Sequence, residues 1–347
     1  MKALLLAGGL GTRLRPLTEQ WPKPMALVAN KPWLEHVVMQ LKNEGIDDIV
    51  MAIKHAPDII RDYFGDGRKW GVRIQYSVEE TLLGTAGAIK HAENLLGDRF
   101  VVLNADIIQK TSIRSLVEFH EKSNALATIG LTEVEDPSHY GVVEQTEDGR
   151  VIRFVEKPPR SEAPSNRINA GIYVMEKEAL AYIPPNREVS IERETFPRLI
   201  GTERGVYGKL LNGYWLDMGT TQRYHKLHRD VLDRIFPLPL PGKEQGKGIW
   251  AGENIAVGSG VLFVPPVLIG DRVQIGDRSV IGPYTVIGDD CVIGSQVRCT
   301  ESILWDRCSV HSGAQLNHCI FGFDLELDAN YLLHEAVMNR VPGGITG

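Results

Sequence analysis

Cysteine is scarce in this chain. The four present, Cys291, Cys299, Cys308 and Cys319, all lie in the last quarter of 347 residues, and none forms a CxxC pair. A zinc site needs closer ligand pairs, so small buried core residues are the expected role. An excess of basic charge is also missing: 38 Lys and Arg stand against 44 Asp and Glu, a net charge of −6. That leaves no electrostatic footprint for nucleic acid and no basic patch for a membrane surface. No apolar run approaches the ~20 residues of a membrane span. The opening MKALLLAGG is too short in its apolar part for a signal-peptide core. A cytoplasmic protein with neither a nucleic-acid nor a membrane partner is the expectation. What the chain does have is 43% hydrophobic and 24% charged residues, the mix of a globular protein. Its length exceeds one ordinary core, so about two domains are expected.

The pattern changes along the chain. Up to about residue 235, short apolar strands alternate with amphipathic stretches: Lys2–Ala7, then a helix over Pro32–Glu44, strands over Asp48–Ile53 and Val72–Val78, a helix over Thr85–Leu96, and a strand over Phe100–Leu103. This order implies an α/β, Rossmann-like, mostly parallel sheet with helices on both faces. Such sheets bind ligands at the carboxyl ends of their strands. From Gly141 a hairpin follows with its turn at Glu147-Asp148-Gly149, then a strand over Ile168–Val174, and these are read as an antiparallel wall. Thr220–Ile235 reads as a closing helix. Residues 236–248, rich in Pro, Gly and Lys, read as a linker between a first domain at 1–235 and a second at 249–347.

The second domain carries a repeat. Glycines stand at 270, 276, 282, 288 and 294, each preceded by isoleucine, and Gly252 and Gly258 extend the series backwards. A six-residue repeat of this kind marks a parallel β-helix, expected to be left-handed, with three repeats per triangular coil. The stretch 303–322 continues it less regularly, and Leu325–Val341 is read as a helix or strand that caps it.

The chemistry is concentrated in GGLGTRLRPLT at 8–18, directly after the first strand. Gly8, Gly9 and Gly11 let backbone N–H groups approach an anion. Thr12 adds a hydroxyl and Arg13 a bidentate fork. Lys23, between Pro22 and Pro24, is a point charge on a stiffened chain. The loop is not GxxxxGK[ST], and Leu14 stands where a dinucleotide fingerprint needs its third glycine.

GGLGTRLRPLT followed by PKPM resembles the signature of the sugar-1-phosphate nucleotidyltransferases. Further similar motifs run in order: LGTAGA at 83–88, NAD at 104–106, YGVV at 140–143, FVEKP at 154–158, NAGIYV at 169–174, SIERETFP at 190–197 and YWLDMGT at 214–220. Together with the β-helix they cover nearly the whole chain. LGTAGA, SIERETFP and WLDMGT are most similar to the branch that joins GTP to mannose 1-phosphate.

The resemblance implies a set of roles. Asp106 and Asp217 would hold Mg²⁺, a hard cation suited to carboxylates and phosphates. Arg13 and Lys23 would be catalytic, stabilising the α-phosphate and the departing pyrophosphate. Leu6, Gly8, Gly9, Gly11, Thr12, Glu80, Gly84 and Thr85 would form the nucleotide site, with Glu79 or Glu80 accepting from guanine. Gly141, Glu156, Lys157 and Asn169 would bind the sugar 1-phosphate, with Lys157 on its phosphate. The reaction implied is direct displacement at the α-phosphorus, which needs positioning and electrostatic stabilisation but no general base. Ala105 departs from the Gly or small hydroxyl residue usual before the metal Asp, and it is small enough to keep the site.

Three other readings stand beside this one. Thymidylyl or uridylyl transfer to glucose 1-phosphate keeps the reaction class. A non-catalytic regulatory subunit would bind nucleotide sugars, but such chains lose one of Arg13, Lys23, Asp106 or Asp217. An acyl-CoA-dependent second activity needs a longer coil than this one, with His311 or His318 as its base. The coil is instead read as an assembly element, giving a homo-oligomer.

Overall fold

The apolar run Lys2–Leu6 forms β1, whose Ala3, Leu4 and Leu5 are all fully buried. Consecutive buried residues on a strand require cover on both faces. The computed structural model describes residues 1–341 and 344–346; positions 342, 343 and 347 of the expected C-terminal tail lie outside the described residues. Two compact units divide the chain: Met1–Leu10 with Leu34–Asp217, and Gly11–Trp33 with Met218–Gly347.

In the first unit, β1 is joined by β2 (Asp48–Ile53), β3 (Arg73–Val78) and β4 (Arg99–Asn104) in the parallel order β3-β2-β1-β4. A short ribbon strand, β5 (Ile107–Lys110), follows β4. Then come β6 (Ala127–Glu133), β7 (Gly141–Gln145), β8 (Val151–Glu156), β9 (Arg167–Glu176), β10 (Val206–Leu210) and β11 (Tyr214–Asp217). β9 runs antiparallel to β4 and to β6, and β7 and β8 form the expected hairpin. The antiparallel wall is thus continuous with the parallel sheet. β11 pairs antiparallel with β5 in a separate ribbon.

The helices are α1 (Trp33–Asn43), α2 (Pro57–Phe64), α3 (Gly84–His91), α4 (Ile113–Ser123), α5 (Phe196–Ile200) and α6 (Thr221–Leu232). α3 ends before the expected Leu96: Glu93–Leu95 tightens into a 3₁₀ turn ahead of Gly97, a helix breaker. No helix among the described residues is long and apolar enough to cross a membrane.

In the second unit, short parallel strands stack in three columns as a β-helix. Ile269 pairs with Ile287 and Ile275 with Ile293, eighteen residues on each time. From Ile287, opposite Leu304, the coil shortens to seventeen. That one-residue loss explains why the hexapeptide rule reads less clearly after residue 300. The isoleucines and all four free cysteines point into the coil. A Cβ on Gly270 would lie 2.7 Å from Asp289 N, so glycine is what lets successive turns stack backbone on backbone. The stretch after Leu325 is strand, with Glu326–Leu327, Leu332–His334 and Val337–Val341 extending the columns. Within 236–248, Phe236 is buried and Lys243–Gly246 pairs antiparallel with Ile249–Ala251.

Candidate functional site

Leu6, at the end of β1, lies between Ala52 of β2 and Asn104 of β4. The carboxyl ends of three parallel strands therefore lie side by side, with the Gly8–Gly9 turn following the middle one. Ala105 N–H donates to Leu6 O at 3.1 Å, tying the NAD segment to that turn. A side chain on Gly8 would meet Glu79 Oε1 at 3.2 Å and Lys54 Cβ at 3.4 Å, whereas Gly9 faces open space.

Glu79 is only 7% exposed and its Oε2 accepts the Leu83 N–H at 3.2 Å. Burial pushes its carboxyl above the usual range, partly opposed by that hydrogen bond and by Lys54. Glu80 is exposed, and Lys54 Nζ donates to its backbone oxygen at 3.0 Å. Gly84 has φ +68°, and a Cβ there would lie 2.7 Å from Val189 O. Its neighbour Thr85 donates to Glu192 Oε2 at 3.0 Å and accepts the Ile191 N–H at 2.8 Å. LGTAGA and SIERETFP are thus locked together, and Ile191–Thr195 is a π turn, a feature frequent at functional sites.

Asp106 stands immediately before β5, and Asp217, the last residue of β11, pairs with Ile107. The ribbon brings the two carboxylates, far apart in sequence, to adjacent register positions. Among the described residues no group of three or more His, Cys, Asp or Glu is arranged to hold a metal. Two carboxylates are nonetheless the donor set that suits Mg²⁺, which keeps waters and takes further oxygens from phosphates.

Asn104 and Tyr173 link this ribbon to the antiparallel wall. A Cβ on Gly171, at φ +75°, would lie 2.9 Å from Ile107 Cγ1 and 3.0 Å from Asn104 Nδ2. Asn169 Nδ2 donates to Tyr173 Oη at 2.9 Å while its Oδ1 accepts the Gly171 N–H at 2.9 Å. Burial holds the Tyr173 phenol well above its usual pKa, and Glu192 and Glu156 add to that. Trp215 of β11 donates to Ala170 O at 3.0 Å and meets Tyr140 edge to face at 5.4 Å.

Gly141 pairs with Glu156 across β7 and β8; a Cβ on it would lie 2.9 Å from Glu156 Oε2. Burial and then the nearby Glu192 raise the Glu156 carboxyl above its usual pKa. Lys157 Nζ lies 3.6 Å from Glu156 Oε1, its side chain is 59% exposed, and its backbone is left-handed at φ +50°. A left-handed lysine costs of order 1 kcal/mol and is concentrated at ligand sites.

Gly11, Thr12, Arg13 and Lys23 belong to the second unit. Gly11 has φ +61°, and a Cβ there would lie 2.8 Å from Lys23 Cβ, so the loop folds onto the PKPM segment only with glycine at this position. Thr18 Oγ1 fixes the turn by donating to Gly11 O at 2.8 Å. Thr12 and Arg13 are exposed, while Lys23 is only 5% exposed. A buried ammonium keeps its charge only with strong partners.

Sequence reasoning did not single out Glu192, Asn104, Tyr173 or Trp215 as site residues. All four stand inside motifs that it quoted, and only the fold shows which side chains face the site.

Glycines after the first strand and two carboxylates at adjacent register positions of one ribbon sit at the carboxyl ends of a parallel sheet, where such folds bind ligands. The model of the nucleotidyl transferase family matches residues 2–234, and that of the GMPPB C-terminal domain matches 263–339. The chain belongs to the nucleotidyl transferase family. It is 40% identical over 275 residues to mannose-1-phosphate guanylyltransferase 1 of Arabidopsis thaliana, spanning 76% of this chain and 75% of the relative. It is 36% identical over 271 residues to a UTP–glucose-1-phosphate uridylyltransferase of Synechocystis, spanning 74% and 70%. Among solved structures it is similar to HddC from Yersinia pseudotuberculosis complexed with GMP-PN, with TM-score 0.56 and 27% identity over 65% of this chain and 97% of that one.

Proposed function

We propose that this chain transfers the guanylyl group of GTP to mannose 1-phosphate, giving GDP-mannose and pyrophosphate. The observation that carries this reading is the placement of Asp106 and Asp217 at adjacent register positions of one ribbon, with strand ends in the same unit that present Gly8 and the buried Glu79. A phosphate oxygen of the sugar 1-phosphate forms the new bond to the α-phosphorus. The bond from that phosphorus to the β-phosphate bridging oxygen breaks, and pyrophosphate leaves with the electron pair. The attacking oxygen is already anionic, so the chain's task is to orient two anions and neutralise their charge.

Asp106 and Asp217 would hold Mg²⁺, which supplies charge neutralisation on the phosphates when bound. Arg13 would take phosphate oxygens bidentately, and Lys23 would offset charge on the leaving pyrophosphate. Glu79 is the better candidate of the two glutamates for accepting guanine N1–H and N2–H₂, because it is buried beside Gly8 and Glu80 is exposed. Glu156 would accept sugar hydroxyls, with Gly141 leaving room for the ring. Asn169 would present its amide there, and Lys157, on its strained backbone, would reach the sugar phosphate. A cytoplasmic homo-oligomer remains part of this reading.

Pyrophosphate release tests it, crossing GTP, UTP, dTTP, ATP and CTP with mannose and glucose 1-phosphates. GTP with mannose 1-phosphate is expected to turn over fastest. A preference for UTP or dTTP with glucose 1-phosphate would overturn the substrate assignment and keep the reaction. Asp217→Asn is expected to lower kcat by about 100-fold or more, as loss of a charge-neutralising group does; unchanged turnover in that variant would overturn the metal assignment, and no turnover in the unaltered chain would point to the regulatory-subunit reading.

A further inference from the structure

The glycine column of the coil passes through Gly252, Gly270 and Gly288, and then, with the coil shortened by one residue, through positions 305, 322 and 339. Gly322 keeps the rule. Trp305 and Asn339 break it, and both are buried. Closing the coil asks for glycine here, so a large ring and a buried amide at these positions call for partners elsewhere.

Their partners lead to the segment that carries Arg13 and Lys23, directly for Asn339 and through Tyr224 of α6 for Trp305, all within the same unit. Trp305 Nε1 donates to Tyr224 Oη at 3.0 Å, and Tyr224 Oη donates to Leu27 O. His228 Nε2 also reaches Leu27 O, at 3.2 Å. Asn339 Nδ2 donates to Pro16 O at 3.2 Å. Phe323 lies between Trp21 and Trp305, with ring centroids 4.5 and 4.8 Å away. One rung earlier, Asn30 Nδ2 donates to Ile287 O at 2.8 Å. The segment is thus fastened at residues 16, 21, 27 and 30, on both sides of Lys23, by four successive rungs of one coil column.

We infer that this column of the β-helix is a positioning surface for the catalytic loop, with the Trp305–Tyr224–Leu27 relay and Asn339 setting where Lys23 and Arg13 stand. The inference rests on the reading that these two cations grip the triphosphate. Trp305, Tyr224 and Asn339 are positioning residues and touch no substrate. The coil therefore has a part in the reaction beside any part in assembly.

Steady-state kinetics on the full chain test it. Tyr224→Phe removes the relay hydroxyl and keeps the ring. It is expected to lower kcat/KM for GTP by about tenfold, because sub-ångström misplacement of a charge is felt steeply, while KM for the sugar phosphate stays within about twofold. In a Lys23→Ala background the same change should cost less than about twofold, because the two act on one interaction. Asn339→Ala is expected to show the same pattern and carries the test if Tyr224→Phe does not fold. Wild-type kinetics in both variants, with Lys23→Ala impaired, would overturn the inference and leave the catalytic reading standing. Full additivity with Lys23→Ala would also overturn it, as a purely structural role. Wild-type turnover in Lys23→Ala itself would instead sink the catalytic reading and take this inference with it.

Discussion

Gly141 sits so close to Phe154 and Glu156 that a methyl group there has no room. Gly141→Ala is expected to raise KM for the sugar phosphate about tenfold and to cost about 1–3 kcal/mol of stability through overpacking, measured by kinetics and by urea denaturation. Glu156 yields a prediction about pH. Its carboxyl titrates above the ordinary glutamate range because it is buried and faces Glu192. A raised pKa means the charged form is lost earlier on acidification. If the ionised form accepts sugar hydroxyls, kcat/KM for the sugar phosphate should begin to fall at a pH above the ordinary glutamate value of about 4.3. Glu156→Gln should show a lower plateau without that limb. Identical acid limbs in the two proteins would remove Glu156 from the binding step.

At the scale of elements, the coil carries a half-buried carboxylate whose charge its ladder does not need. Asp306 Oδ1 accepts the Asp289 N–H at 3.0 Å, while burial pushes its carboxyl up to about 6. The fold therefore disfavours the ionised form, and stability associated with this group should rise as pH falls through 6 toward the unfolded value of about 3.9. Asp306→Asn keeps an acceptor oxygen and drops the charge. Its Tm at pH 8 is expected to exceed the wild type by roughly 2–4 °C, with the gain gone near pH 4. A lower Tm at pH 8 would show that the carboxylate earns its place through charge.

The elements differ in how legible they were. β2 is bounded as its apolar run dictates, and the coil's isoleucine–glycine period is unmistakable because each turn repeats one steric constraint. α2 and α4 were not foreseen: α4 buries only Ile113, Leu116 and His120 on one face, and its start depends on the Ser112 cap. The site's motifs were visible as motifs. The closeness of Asp106 to Asp217 was not, because it is produced by the β5–β11 ribbon between strands about a hundred residues apart. Trp305 falls in the stretch read as a less regular repeat and Asn339 in the tail read as a cap, since a period shows where glycine is absent but not what replaced it.

For the molecule as a whole, residues 242–247 form a continuous exposed stretch of the second unit, with Lys243 and Lys247 on the surface. Limited trypsin treatment is expected to cut there first. The nicked chain should still elute as one species in gel filtration, because Tyr224, Asn30 and Pro16 remain bonded to the coil across the cut. Release of the C-terminal fragment would contradict the contacts described. The coil also works as a ruler. Each rung adds about 4.8 Å along its axis, the spacing of paired strands. The bonds to Asn30, Tyr224 and Pro16 are made on the rungs of Ile287, Trp305 and Asn339. A whole turn gained or lost before Gly270 leaves these three distances untouched. A turn gained or lost between Ile287 and Asn339 displaces at least one fastening by a full rung, so these fastenings fix the length of the coil between those two rungs and set no limit on it before Gly270.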